Sequence, residues 1–184
     1  MDEGGKLVRK AIKGNDDAFL ELMQLYKIDL YKTAIAYLKN EHEAVEAIQE
    51  VTVRAYRKIN TIREPSYFKS WLIRIMINYC NDQLRRRRRV IHDEGALQEQ
   101  GVNDNHTGID LEDAMQRLDK RSRDLLTMKY FNDLKIKEIA AAIECPEGTV
   151  KTWLNKALKL LRAELEEKEG NGNVRKGRRK TEGI

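Results

Sequence analysis

The sequence predicts an all-α protein with two small helical domains joined by a flexible linker, the second domain being a helix-turn-helix. Apolar residues recur at helical spacing along most of the chain. Only two prolines and few alternating β-branched residues occur, so strands are not expected. A stretch without Lys or Arg, from residue 90 to 116, separates two periodic blocks. A length of 184 residues suits one ordinary domain or two small ones, and this break favours two.

The first domain is expected to span residues 1–90. Residues 1–14 are a polar lead-in, and a helix follows over 15–38, which its first residue, an asparagine, can cap. Further helices are expected over 41–59 and, after a short loop, over 67–88. The expected buried stripe of the last helix comprises Phe68, Trp71, Leu72, Ile75 and Tyr79. Its expected exposed stripe comprises Arg74, Asn78, Asn81 and Arg85.

Residues 91–109 are expected to be a flexible acidic linker. The segment from Val90 to Gln116 contains seven acidic residues, and three glycines interrupt any helical pattern. Its acidity suits either a segment that lies in a polyanion-binding channel or a solvated tether. The chain ends in a glycine-rich basic segment, residues 167–184, which is expected to be a disordered tail.

The second domain is expected to span residues 110–166. Two helices come first, around Leu111–Leu118 and Arg121–Phe131, and two more flank Pro146, which is best tolerated at the first position of a helix. The apolar stripe of the last helix comprises Val150, Leu154, Ala157, Leu161 and Leu165. Two short amphipathic helices, a tight turn and a basic outer face are typical of a helix-turn-helix. An ordinary helical hairpin with solvated lysines is the alternative.

Composition excludes several classes of protein. No apolar run reaches the length of a membrane span and no signal-peptide core is present, so we expect a soluble cytoplasmic protein without membrane insertion. Cys80 and Cys145 are far apart, and the three histidines share no ligand spacing with a carboxylate or thiol. We therefore expect no metal site, no cofactor, no small-molecule substrate and no catalytic residues.

Three motifs carry a resemblance to a known family. They read Glu46-Ala-Ile-Gln49-Glu50, Phe68-Lys-Ser-Trp71-Leu72-Ile-Arg74-Ile75-(x)2-Asn78-(x)3-Asp82-(x)2-Arg85, and Glu138-Ile-Ala-(x)5-Pro146-Glu-Gly-Thr-Val-Lys-Thr152. Together they resemble bacterial sigma factors of the extracytoplasmic-function group of the sigma-70 family. The family usually has Asp at position 46, a larger apolar residue at position 47 and Arg at position 153. For Trp153 we favour packing at the domain edge over contact with a thymine methyl group.

The resemblance implies a sigma factor that directs core RNA polymerase to specific promoters and initiates transcription. It would recognise the minus-thirty-five element as duplex and the minus-ten element as melted strand; its partners would be core RNA polymerase, promoter DNA and a cognate anti-sigma factor. The implied polymerase contacts are Glu46, Gln49 and Glu50. The implied minus-ten contacts are Ile62, Arg63, Glu64, Arg74, Asn78 and Arg85. Residues 85–89 form a run of five arginines at the end of the helix expected over 67–88, for which we favour nonspecific phosphate contact over base readout; a solvated run that binds any polyanion is the alternative. The implied minus-thirty-five contacts are Gly148, Thr149, Lys151, Thr152, Asn155 and Lys156.

Two other function classes remain open from the sequence. A helix-turn-helix regulator that acts without polymerase would need a dimer surface or a sensing domain, and residues 15–89 contain neither a heptad seam nor a ligand motif. A metal-dependent nucleic-acid enzyme would need paired metal ligands, and the abundant acids do not form such a motif. Protection of an operator without polymerase would identify the first class, and a metal-dependent nuclease assay the second.

Overall fold

The computed structural model describes residues 3–93 and 111–177, and these residues form helices without any strand. The predicted all-α class is therefore confirmed. The α-helices are α1 Glu3–Ile12, α2 Asp16–Leu38, α3 Glu41–Lys58, α4 Phe68–Asp93, α5 Leu111–Arg117, α6 Lys120–Leu126, α7 Ile136–Ile143 and α8 Glu147–Gly177. Short 3-10 turns cover Ile59–Thr61 and Pro65–Tyr67, and a π-helical turn covers Thr127–Phe131. None of the helices in the described ranges is long and apolar enough to cross a membrane.

Most of the predicted linker, from residue 94 onward, lies outside the described residues. Residues 91–93, which were assigned to the linker, belong instead to the end of α4. The arginine run makes this extension reasonable, because arginine is among the strong helix formers and lets the helix continue past its buried turns.

The first helix corrects the expectation of a polar lead-in over residues 1–14. Val8 and Ala11 are buried, and α1 packs against α2. Four apolar residues, Leu7, Val8, Ala11 and Ile12, share one face of a short helix and find a partner there. The helix ends before Gly14, whose φ of +88° is a conformation that glycine adopts without steric cost.

Helices α2, α3 and α4 pack together and form the core of the first part of the chain. Asn15 and Asn40 cap α2 and α3, accepting hydrogen bonds from the backbone N–H groups of Ala18 and Glu43 at 2.7 and 3.0 Å. Such a cap is worth about 1 kcal/mol. Burial of each large apolar side chain in this core contributes roughly 1.5–3 kcal/mol. The fully buried large side chains here include Leu22, Leu30, Tyr37, Phe68, Leu72, Ile73, Met76 and Ile77.

Helix α4 buries more residues than the single buried stripe that its sequence predicted. Ile73, Met76 and Ile77 are buried, whereas Trp71 is only half-buried and Asn81 is not fully exposed. The reason is that α4 packs on α2 and α3 at one side and on α7 at another. A pattern based on a single buried face misses the second contact.

The second part of the chain is a helix-turn-helix formed by α7 and α8, with α5 and α6 packed against α8. Helix α7 ends at Ile143, and the residue after it, Glu144, has a φ of 57°; the N–H of Cys145 donates to the Ala140 carbonyl at 3.0 Å. Helix α8 begins at Glu147, one residue after the predicted start at Pro146. The Pro146 carbonyl accepts from the N–H of Val150 at 3.1 Å, so the proline occupies the capping position.

Helix α8 continues to Gly177, and this corrects part of the predicted tail. Residues 167–177 were expected to be disordered, but they extend the helix; residues 178–184 lie outside the described residues. Residues 163–169, where this extension starts, are strong helix formers, which carry the helix beyond its last buried turn.

Candidate nucleic-acid and protein interfaces

The three predicted polymerase contacts, Glu46, Gln49 and Glu50, lie on an accessible face of α3, and we call them the acidic stripe. Glu46 and Gln49 are exposed and Glu50 is half-buried. The Glu50 carboxylate accepts from Arg54 Nε at 2.9 Å, one helical turn further on. Val53 continues the same side of the helix and is 45% exposed. The three predicted polymerase contacts therefore form one anionic surface with an apolar edge, which suits a cationic protein partner.

The predicted minus-ten residues in the loop between α3 and α4 differ from one another in exposure. Arg63 and Glu64 are exposed, whereas Ile62 is half-buried and packs against the core. Hydrogen bonds from Ser66 to the Glu64 carboxylate, the backbone one at 3.2 Å, lower the pKa of Glu64. Glu64 thus keeps its negative charge and gives the loop a fixed turn.

A cavity of about 330 Å³ opens beside this loop. Glu64 and Ser66 line it on one side, Arg9 of α1 on another, and Glu138 of α7 closes a third. Asn78, one of the implied minus-ten contacts, is not among the residues that line this cavity. Residues of α1 line this cavity instead, because α1 packs against the loop.

The predicted minus-ten face of α4 is only partly open. Asn78 and Arg85 are exposed, and Arg85 pairs with Asp82 of its own helix at 3.0 Å. Arg74, however, is half-buried and contacts the Glu144 carboxylate at 3.3 Å. This contact connects α4 to the turn of the helix-turn-helix, so the two parts of the chain meet on the face that was assigned to DNA.

Asp124 of α6 is the centre of a second set of contacts to α2 and α4. Its carboxylate accepts from Tyr37 Oη at 2.6 Å and from Asn81 Nδ2 at 3.1 and 3.3 Å. It also pairs with Lys120 at 2.7 Å. Burial, and then the Asp124 charge, raise the pKa of Tyr37 well above its ordinary value, so Tyr37 stays a hydrogen-bond donor. We call Asp124, Tyr37, Asn81 and Lys120 the Asp124 cluster.

Two further buried groups belong to the same contact between the domains. Asn132 Nδ2 donates to Thr33 Oγ1 at 3.1 Å and to the Thr127 carbonyl at 3.2 Å, and both side chains are buried. Arg123 is also buried, with its guanidinium 5.4 Å from the ring centroid of Tyr37. Its Nε has no hydrogen-bond partner within the described part of the chain. We call the arrangement in which α2 and α4 contact the second domain the closed arrangement. An unpaired buried donor costs about 1–3 kcal/mol, which weakens this arrangement.

The predicted minus-thirty-five residues lie on the first three turns of α8. Gly148, Lys151 and Thr152 are exposed, as are Asn155 and Lys156, while Thr149 is half-buried. Val150, Leu154 and Ala157 are buried on the opposite side of the helix. The structure thus brings all six residues to the accessible side, with the N-terminus of the helix leading.

Trp153 lies at the flank of this accessible side. It is half-buried and packs against the core, in agreement with the favoured interpretation. The guanidinium carbon of Arg121 lies 4.4 Å from the centroid of its ring. Arg121 and the Asp124 cluster were not among the functional residues expected from sequence, because contacts between distant segments leave no local periodic signal. Among the described residues no group of three His, Cys, Asp or Glu side chains is placed to hold a metal ion.

Comparison with known proteins adds two family matches. Residues 22–90 match the family "Sigma-70 region 2", and residues 109–161 match the family "Sigma-70, region 4". The chain is 33% identical over 143 residues to the RNA polymerase sigma factor SigV of Bacillus subtilis, covering 76% of this chain and 86% of SigV. It is 27% identical over 179 residues to the ECF RNA polymerase sigma factor SigW of the same organism, covering 87% and 95%.

Two solved structures share the fold. CnrH, in a structure with the cytosolic domain of CnrY, superimposes with a TM-score of 0.68 at 22% identity, covering 90% of this chain and 99% of CnrH. The sigma factor RpoE of Bartonella quintana, in a structure with the anti-sigma factor NepR, gives a TM-score of 0.61 at 22% identity. That alignment covers 79% of this chain and 97% of RpoE.

Proposed function

The chain belongs to the extracytoplasmic-function group of the sigma-70 family, and we propose from this premise which of its surfaces bind core RNA polymerase and promoter DNA. It is a sigma factor that directs core RNA polymerase to specific promoters, and sigma factors are non-enzymatic initiation factors. The observation that carries this function is the pair of family regions, 22–90 and 109–161, on one chain and in this order. We infer that the chain acts in the cytoplasm and performs no chemistry of its own.

The acidic stripe of α3 binds core polymerase. Glu46, Gln49 and Glu50 share one accessible side of a helix whose other side is anchored by buried Ala44, Val51 and Ala55. A rigid helix holds the carboxylates in place before binding, which lowers the entropy lost in the complex. Complementary charge also speeds encounter with a cationic partner surface.

The loop and α4 bind the minus-ten element as single strand. Holding a melted strand requires cations for the backbone and polar groups for the base edges. Arg74, Arg85 and the following arginines supply the cations, and Asn78 with Arg63 and Glu64 supplies polar groups, while Ile62 fixes the loop to the core. Unstacking a base costs a few kcal/mol, and contacts in a pocket recover part of that cost.

The N-terminal turns of α8 read the minus-thirty-five element in the major groove. Lys151 and Thr152, followed one turn later by Asn155, are the base-reading residues, because they project from the part of the helix that enters the groove first. The free backbone N–H groups near Gly148 and Thr149 bind a phosphate. Lys156 makes a nonspecific phosphate contact.

The closed arrangement has to open before α4 binds DNA. The Glu144 carboxylate pairs with Arg74, and the Asp124 carboxylate accepts a hydrogen bond from Asn81, so both α4 side chains are already engaged. The accessible side of α8 is free in the same arrangement. Opening also allows the two DNA-binding surfaces to reach separate promoter elements.

An anti-sigma factor is a further expected partner. Both solved relatives described above were determined in complexes, one of them with a protein named an anti-sigma factor. Their identity to this chain, 22%, establishes the fold alone. Since the chain shares this fold, we propose that it too has a cognate anti-sigma protein, and co-purification with the tagged chain tests this proposal.

Footprinting tests the proposed function against its alternatives. The chain, core polymerase and their mixture are each incubated with a promoter fragment, and protection is mapped on both strands. We expect protection of both elements and permanganate-reactive thymines at the minus-ten element only in the mixture. Protection of an operator by the chain alone would support the regulator, and metal-dependent cleavage of the fragment would support the enzyme.

A further inference from the structure

We propose that Arg121, held over the ring of Trp153, contacts a phosphate of the upstream promoter element beside the recognition helix. The proposal rests on the proposed function, because it assigns an additional residue to the surface of α8. It concerns a residue of α6, a helix to which no DNA contact was assigned.

The first observation is the position of the tryptophan. Trp153 follows Thr149 by four residues and precedes Lys156 by three, so the three side chains are neighbours along one flank of α8. Its indole is half-buried and cannot itself bind a phosphate by charge. The guanidinium carbon of Arg121 lies 4.4 Å from the ring centroid, well within cation–π range. The positive charge of Arg121 therefore lies at Trp153, on the flank of α8 that also carries Lys156.

The second observation is that no carboxylate of the described residues forms an ion pair with Arg121. Three cations lie near the start of α6, and two are engaged: Lys120 pairs with Asp124 at 2.7 Å, and Arg123 is buried over Tyr37. Arg121 is exposed, and none of the ion pairs among the described residues includes it.

The nearby Asp119 does not neutralise this arginine. Its carboxylate accepts from Ser122 Oγ at 2.6 Å and from the Ser122 N–H at 3.1 Å, and caps α6 in that way. The hydrogen bond from the Ser122 side chain is the main cause that lowers the pKa of Asp119, and the charge of Arg121 contributes least. The positive charge of Arg121 therefore remains exposed to solvent and is not cancelled by Asp119.

Stacking prepares the arginine for a phosphate. A guanidinium that lies on an aromatic face keeps its N–H donors in the plane of the group, at its edge, where they can reach phosphate oxygens. Because the ring restricts the side chain before DNA arrives, less rotamer entropy is lost on binding. Contacts of this kind position the helix on the duplex without reading its sequence.

The experiment uses the full chain with core polymerase and measures binding to DNA with a matched or a scrambled upstream element across a salt series. Arg121→Gln removes the charge, Trp153→Phe keeps an aromatic platform and Trp153→Ala removes it. Lys10→Gln, at an exposed position of α1, is the matched loss of one positive charge.

We expect Arg121→Gln to reduce the slope of log affinity against log salt by about 0.9, equally on both DNAs. A fourfold rise in salt then weakens binding about 3.5-fold less than in the wild type. Trp153→Ala should reproduce this result, whereas Trp153→Phe and Lys10→Gln should leave the slope near the wild-type value. The double variant Arg121→Gln with Trp153→Arg returns a cation to the flank of α8 and should restore the slope.

A slope for Arg121→Gln that equals that of Lys10→Gln would overturn the inference, and a lower melting temperature with unchanged slope would assign the pair a purely structural role. Loss of affinity on the matched DNA alone would also overturn it, because that is the behaviour of a base contact. Lys156→Ala distinguishes failure of this inference from failure of the proposed function. If it reduces the slope and Arg121→Gln does not, only this inference fails; if wild-type chain and polymerase show no promoter binding, the proposed function fails.

Discussion

Asp124→Asn tests whether the contact between the domains restrains the promoter-binding face of α4. The substitution preserves the size of the side chain and removes its charge. Two hydrogen bonds to this carboxylate cross between the domains, from Tyr37 Oη at 2.6 Å and from Asn81 Nδ2 at 3.1 Å. Asp133→Asn is the matched control, since it makes the same chemical change at an exposed position of the same domain.

The size of the effect follows from those two bonds. A hydrogen bond to a charged group contributes roughly 1.5–3 kcal/mol and one between neutral groups roughly 0.5–1.5 kcal/mol. Loss of the charge therefore weakens each bond by about 1 kcal/mol, and the closed arrangement by about 2 kcal/mol. That free energy shifts the ratio of open to closed molecules about 30-fold toward open.

Two measurements on the full chain check this prediction. Small-angle X-ray scattering should give a larger radius of gyration for Asp124→Asn than for the wild type. Titration of promoter DNA with the chain and core polymerase should show tighter binding, because the apparent dissociation constant falls as the fraction of molecules with an open α4 face rises. The reasoning is refuted if Asp124→Asn behaves like Asp133→Asn in both measurements, or if it expands the molecule and leaves promoter binding unchanged.

Other variants test the remaining surfaces. Glu50→Lys should weaken the pull-down of core polymerase at unchanged helical circular dichroism, and an unchanged pull-down would refute the assignment. Exchange of loop residues 62–64 should alter base preference at the minus-ten element alone, as scored by transcription of a randomised promoter. Lys151→Ala should relax discrimination at the upstream element by about 1–3 kcal/mol in competition binding, whereas Lys156→Ala should weaken all sequences alike and reduce the salt slope. Burial raises the pKa of the Cys80 thiol from 9.0 to about 12. The stabilisation of the fold by the protonated thiol is therefore complete below about pH 9 and is lost as the pH rises toward 12. Urea unfolding of the wild type and of Cys80→Ala across this pH range should show the difference.

Much of the fold follows from the sequence because its signals are local. The asparagine caps before α2 and α3, the helical period of the apolar residues and the proline before α8 each act within one or two turns. The first helix was missed because its apolar residues, Leu7 to Ile12, lie among glycines and charges that suggest a lead-in. It forms because α2 offers a surface that buries Val8 and Ala11, a tertiary effect that overrides local propensity.

The contacts between the domains could not be predicted in this way. Tyr37 and Asp124 are 87 positions apart, and Thr33 and Asn132 are 99 apart. Asn81 was expected on an exposed stripe because a single helix carries no information about a second partner. The accessible side of α8, by contrast, was predictable, since its buried Val150, Leu154 and Ala157 leave only one side for DNA.

Transcription from a promoter library tests the central claim most directly. The chain is mixed with core RNA polymerase and DNA in which both promoter elements are randomised, and the transcripts are sequenced. We predict transcripts that begin downstream of one enriched pair of elements, that require the chain, and that disappear with Glu50→Lys. Transcription that is independent of the chain, or an enriched upstream element bound without any new transcript, would contradict it.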